Sequence, residues 1–220
     1  MGSAPQIHPI VRREAVLLML GAALGALLSA PAAVAAQVPT VVLLGDSVTA
    51  GYGLPAADAL PVQLQAALAK RGRAVKIVPA GVSGDTSADG LARIDFSVPA
   101  GTDLCLVELG GNDLLQGADP DQMRQNLEAI VRRLKARGVR AAMIGLKAPP
   151  KVGAAYARDF DAAFARAARD TGAPLYADWF AGVADPALRQ GDGIHPNAAG
   201  VRALAFGLAP FVIKALRSGA

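Results

Sequence analysis

Thr40-Val41-Val42-Leu43-Leu44-Gly45-Asp46-Ser47-Val48-Thr49-Ala50-Gly51 is an apolar run that stops abruptly on small and polar residues. An unbroken series of β-branched and aliphatic side chains, with no alternation, describes a strand buried on both faces. Burial on both faces is the mark of a parallel sheet covered by helices. Parallel neighbours cannot be joined by a tight hairpin, so a crossover helix should follow before the next strand. Asp58 is placed to cap such a helix, with Leu60, Leu64, Ala67 and Leu68 along one face and Gly72 at its end.

The same alternation continues outward from this segment. Val75 to Ala80 reads as a second strand, followed by the loop Gly81-Val82-Ser83-Gly84-Asp85-Thr86 and a short helix to about Asp95. Leu104 to Leu109 is a third strand, and Asp119 to Arg137 a helix whose Met123, Leu127, Ile130, Val131 and Leu134 recur at helical spacing. Arg140 to Leu146 gives a fourth strand, then the loop Lys147-Ala148-Pro149-Pro150-Lys151. Tyr156, Phe160, Ala163, Phe164 and Ala167 stripe the next helix, and Pro174 to Ala177 makes a short fifth strand. Asn197 is a cap for a last helix, which Pro210 should kink or break. Strands and helices in turn, with no repeat and no long linker, predict one α/β domain over residues 37–220. It should be a three-layer α/β/α sandwich around a doubly wound, mainly parallel five-stranded sheet of flavodoxin-like winding.

The first 36 residues read differently. Arg12 and Arg13 precede an uncharged stretch from Ala15 to Ala36 that contains Leu17-Leu18-Met19-Leu20 and ends on Val34-Ala35-Ala36. A basic start, an apolar middle and small residues before Gln37 predict a cleaved signal peptide, hence export to the periplasm or beyond. The stretch is about long enough to span a bilayer, but its alanine-rich end favours cleavage over a retained anchor. The chain carries a formal net charge of +4. Many of its basic residues fall between Arg124 and Arg140, on the wet face of a helix. Nucleic-acid binding would need a denser patch with interleaved aromatics. Cys105, the only cysteine, lies in Leu104-Cys105-Leu106-Val107 and reads as a small core residue without a disulfide partner.

Of the two histidines in the chain, His8 falls in the leader, leaving His195 in Asp192-Gly193-Ile194-His195-Pro196-Asn197. A multi-histidine zinc site is excluded by count, and one cysteine does not rescue it. An imidazole suits proton transfer near neutral pH, and Asp192 stands three residues ahead on the same loop as its orienter. Asp46, Asp85, Asp113 and Asp178 are the other carboxylates that could fill that role; the short gap favours Asp192. Ser47, just past the first strand, projects a hydroxyl into the crevice and offers its N–H to a developing oxyanion. Asn112, behind Gly110-Gly111 at the end of the third strand, is a second donor. A serine, donors from neighbouring loops and an Asp–His pair make an acyl-transfer set. Glu108 reads as a buried structural group.

These motifs resemble those of the GDSL/SGNH hydrolases, from about Thr40 to the C-terminal helix. Gly45-Asp46-Ser47-Val48 is similar to the GDSL block with valine for leucine. Ser83-Gly84-Asp85-Thr86-Ser87, Glu108-Leu109-Gly110-Gly111-Asn112-Asp113 and Asp192-Gly193-Ile194-His195 match further blocks. The combination resembles the exported branch of thioesterases, lysophospholipases and arylesterases. The resemblance implies Ser47, His195 and Asp192 as a triad, and Ser47, Gly84 and Asn112 as the oxyanion hole. It implies hydrolysis of carboxylic esters or thioesters, with no metal or organic cofactor. Leu114, Leu115, Pro149 and Val152 are the residues expected along an acyl groove. A carbohydrate O-acetylesterase shares the same constellation, and a non-catalytic acyl-binding module is the alternative outside enzymes.

Overall fold

Parallel pairing organises the whole sheet in the computed structural model, which describes residues 1–2 and 37–218. The leader read from the first 36 residues therefore lies, but for its first two positions, outside the described residues. The strands are β1 (Thr40–Gly45), β2 (Lys76–Gly81), β3 (Leu104–Glu108), β4 (Arg140–Ile144) and β5 (Leu175–Tyr176). They lie in the order β2-β1-β3-β4-β5, every adjacent pair parallel. This is the five-stranded α/β arrangement expected from the sequence.

The alternating geometry of β1 explains the two-layer core. Val41 and Leu43 point into one apolar layer, built with α2 (Leu60–Ala69) and α7 (Ala198–Arg217). Val42 and Leu44 point into the other, built with α3 (Ser87–Ser97), α5 (Pro120–Ala136) and α6 (Ala154–Thr171). All four β1 side chains are fully buried. Each contributes roughly 1.5–3 kcal/mol of transfer free energy, before the entropy of ordering it is set against that gain. Capping is local and legible. Thr86 and Asp89 form a reciprocal capping box on α3, Asp119 caps α5 ahead of Pro120, and Asn197 Oδ1 accepts from the N–H groups of Ala199 and Gly200.

Two details depart from the sequence reading. Asp58 does not cap α2; it ends a 3-10 turn, Ala59 is the capping residue, and Asp58 Oδ1 instead meets Arg202 at 3.3 Å. Nor does Pro210 break the last helix, which runs unbroken from Ala198 to Arg217. Proline removes the N–H that would bond the carbonyl four residues earlier. That carbonyl, on Phe206, accepts from Arg71 Nη2 at 3.2 Å, so the orphaned acceptor has a partner from α2's end.

The strand order fixes where a ligand can sit. The winding order reverses between β1 and β3, and in such sheets the crevice opens beyond the carboxyl ends of those two strands. Gly45 and Glu108, the last residues of β1 and β3, are in register there.

Candidate active site

Ser47 opens α1 (Ser47–Ala50), a single turn that β1 runs into at Gly45. Asp46 caps it: Oδ1 accepts from the Val48 N–H at 3.1 Å and lies 3.5 Å from Ser47 Oγ. Beneath the turn, Glu108 Oε2 accepts from the Thr49 hydroxyl at 2.7 Å and from the Asp46 N–H at 3.3 Å. A β-carbon on residue 45 would lie 2.3 Å from that carboxylate oxygen, so only glycine fits at the end of β1. Burial raises the Asp46 carboxyl to about 6, against the opposing bond from Val48. Glu108 is fully enclosed, and burial, reinforced by the neighbouring Asp46 charge, pushes it well above the carboxylate range.

The histidine loop comes from the other side. His195 Nε2 lies 2.9 Å from Ser47 Oγ, and Nδ1 lies 2.6 Å from Asp192 Oδ2. Asp192 Oδ1 also accepts from the N–H groups of Ile194 and His195, at 2.8 and 3.0 Å. This turn requires Gly193 in the left-handed region, at φ 69°. The histidine bond, then the Ile194 bond, holds the Asp192 carboxyl down at about 2. Of the other carboxylates weighed from sequence, Asp85 is taken by Arg93 and Asp113 by Ser87.

Two contacts that join the two loops, and a third that braces the histidine loop on itself, were not read from the sequence. Gln190 Nε2 donates to the carbonyls of Tyr52 and Pro196, at 2.8 and 3.0 Å. The Tyr52 ring rests on the His195 ring with centroids 4.7 Å apart. Asn197 Nδ2 reaches back to the carbonyls of Ala187 and Arg189. Each partner is far along the chain or a main-chain atom, and no local motif announces it.

Asn112 lies on α4 (Gly111–Gln116), a helix that packs tightly on the serine turn. A β-carbon at residue 111 would come 2.9 Å from Asp46 Oδ2, and one at residue 110 would come 2.8 Å from Phe164. Asn112 Nδ2 donates to the Asp85 carbonyl at 2.9 Å and has a longer contact, 3.4 Å, with Asp46 Oδ2. Gly84 sits on the exposed loop before α3, at φ 92°. Among the described residues, neither the Ser47 N–H nor the Gly84 N–H has a hydrogen-bond partner.

Ser47, Asn112 and His195 line one cleft of about 460 Å³, and Leu114, Leu115, Pro149 and Val152 line it too. Gly84 and Asp192 stand outside its lining, Asp192 behind the imidazole. Trp179 and Phe180, not singled out from sequence, complete the apolar wall. Among the described residues, the Trp179 indole N–H is buried without a partner.

A hydroxyl, an imidazole and a carboxylate in series, at the carboxyl ends of a doubly wound sheet, define a hydrolase that works through a serine. The chain belongs to the GDSL-like lipase/acylhydrolase family, whose profile matches residues 43–203. It is 37% identical over 168 residues to Esterase TesA of Pseudomonas aeruginosa, spanning 73% of this chain and 81% of that protein. It is 36% identical to the Thioesterase 1/protease 1/lysophospholipase L1 of Escherichia coli strain K12, over 74% of this chain and 78% of that one. The crystal structure of AlinE4, an SGNH-hydrolase family esterase, superposes with a TM-score of 0.69 at 42% identity, covering 82% of this chain and 97% of AlinE4. The protein is a serine hydrolase of the esterase type.

Proposed function

We propose that Ser47, His195 and Asp192 hydrolyse carboxylic esters, and thioesters of similar shape, through an acyl-enzyme. The observation that carries this reading is the pair of distances in series, 2.9 Å from Ser47 Oγ to Nε2 and 2.6 Å from Nδ1 to Asp192. With Asp192 accepting from Nδ1–H, Nε2 is left to accept the serine proton. Ser47 Oγ attacks the acyl carbon as that proton moves to His195, and the imidazolium then protonates the departing alcohol or thiol. Water, deprotonated by His195 in turn, releases the acid and restores Ser47. The N–H groups of Ser47 and Gly84 and the second N–H of Asn112 receive the oxyanion, which displaces the long Asn112–Asp46 contact. No step calls for a metal or organic cofactor.

The apolar wall of Leu114, Leu115, Pro149 and Val152 supports acyl groups longer than acetate. Residues 1–36 act as a leader, and the mature chain begins near Gln37 in an exported compartment. Sequencing the N-terminus of protein recovered from an exporting host tests that point.

Nitrophenyl esters of graded chain length test the reaction. Wild type should turn over butyrate and longer esters, while Ser47→Ala and His195→Ala lose activity by several orders of magnitude. Asn112→Ala should cost about 3 kcal/mol of transition-state stabilisation, a fall of roughly 10²-fold. Equal rates for wild type and Ser47→Ala would overturn the mechanism. A collapse beyond acetate would replace the long-acyl reading with an O-acetylesterase.

A further inference from the structure

Asp113, next to Asn112, makes no contact with the nucleophile or the histidine, yet it is buried and bound at both oxygens. Its Oδ1 accepts from the Ser87 hydroxyl at 2.6 Å and its Oδ2 from the Ser87 N–H at 2.8 Å. Ser87 is the first residue of α3, immediately after the loop that carries Gly84 and Asp85. Its N–H is one of the donors a helix leaves unsatisfied at its start. Asn126, from α5, adds a third arm by donating to Ser87 Oγ at 3.0 Å, and Gln122 Nε2 donates to Asn126 Oδ1 at 3.2 Å. Ser87, Asp113 and Asn126 are all buried, at 0, 4 and 8% exposure, so no water competes for these bonds.

The consequence is geometric. Consecutive residues on α4 grip the same neighbouring loop: Asn112 Nδ2 binds the Asp85 carbonyl, and Asp113 binds Ser87 two residues on. We propose that Asp113, Ser87 and Asn126 form a clamp that sets the spacing between Gly84 and Asn112, making Asp113 a positioning residue for the oxyanion donors. This rests on the assignment of Gly84 and Asn112 as those donors. Misplacement of a stabilising group by about 1 Å costs up to about 10²-fold in rate. A clamp of three buried bonds prevents that drift while leaving the cleft's apolar wall untouched. Its loss should therefore lower kcat and leave KM nearly as it was.

A double-mutant cycle separates positioning from mere structural support. In Asp113→Asn, an amide NH2 replaces one acceptor and confronts one of the Ser87 donors. Alone it should lower kcat by about tenfold. Combined with Asn112→Ala, which removes one of the two donors that the clamp spaces, it should add a clearly smaller further loss, about threefold. Ser87→Ala, a milder change, runs the same cycle should Asp113→Asn fail to fold, with about a threefold effect expected alone. Equal fold-losses in the presence and absence of the Asn112 amide would overturn the clamp. If Asn112→Ala alone left kcat intact, the donor assignment itself would fall, which is a distinguishable result.

Discussion

Glu108 is a carboxylic acid enclosed at the end of a central strand, receiving hydrogen bonds from the Thr49 hydroxyl and the Asp46 N–H. Its neighbour Asp46 is also buried, and two charges so placed oppose one another. The outcome is division of labour: Glu108, the more deeply buried, is held well above its ordinary value, and Asp46 titrates near 6. Both groups bind protons more tightly when folded, so their contribution to stability is fully present below the ordinary carboxylate pKa. It is lost as pH rises through the folded values. Glu108→Gln keeps an acceptor under the serine turn but removes one titration. Its stability should therefore fall less steeply than that of wild type between pH 5 and pH 8, as read from urea midpoints. Parallel curves would mean that Glu108 is not the proton holder. Sequence reasoning assigned Glu108 a structural place because a charged residue ending an apolar strand must be satisfied inside. It offered no means of seeing Thr49 and Asp46 as the partners, because the pairing depends on β1 and β3 being neighbours.

Elements were legible where the signal lies within the element itself. The apolar stripes of α5 and α6, the Asn197 cap of α7 and the uninterrupted β1 run each determine their own structure through local periodicity and caps. The errors at Asp58 and Pro210 come from the opposite situation. Asp58 stands one residue too early to cap α2 and turns to Arg202, 144 positions away. Pro210 is tolerated because Arg71, 135 positions before Phe206, supplies the missing donor to the Phe206 carbonyl. The same guanidinium lies 4.3 Å over the Phe206 ring, so hydrogen bond and cation–π contact reinforce each other on one turn of α7. Arg71→Ala should then cost about 1 kcal/mol in chemical denaturation, because it re-exposes the orphaned acceptor. In a Pro210→Ala background, where the helix bonds its own carbonyl again, the same change should cost about half as much. Equal costs in the two backgrounds would show that Arg71 acts through something other than the proline gap.

At the scale of the whole molecule, the strand order explains why so short a list of motifs converges on one cleft. Ser47 and Asn112 follow β1 and β3, which straddle the point where the winding reverses, and His195 arrives from the loop ahead of α7. What the sequence could not supply was the cross-bracing by Gln190, Tyr52 and Asp113, since each of those bonds joins loops that only the folded sheet brings together. The core itself is self-sufficient among the described residues: both apolar layers are built from Val41 through Ala215, and Val38 onward forms one compact unit. Cys105 lies wholly inside it, and burial pushes its thiol up to about 12, so oxidation contributes nothing to holding the fold. A chain beginning at Gln37 and made in a reducing cytosol should consequently unfold at the same midpoint as exported protein, with or without reductant. Its thiol should resist a disulfide-exchange reagent until denaturant is added. Fast labelling in the native state, or a midpoint that drops when the leader is absent during folding, would show that the sheet and its two helical layers do not fold on their own.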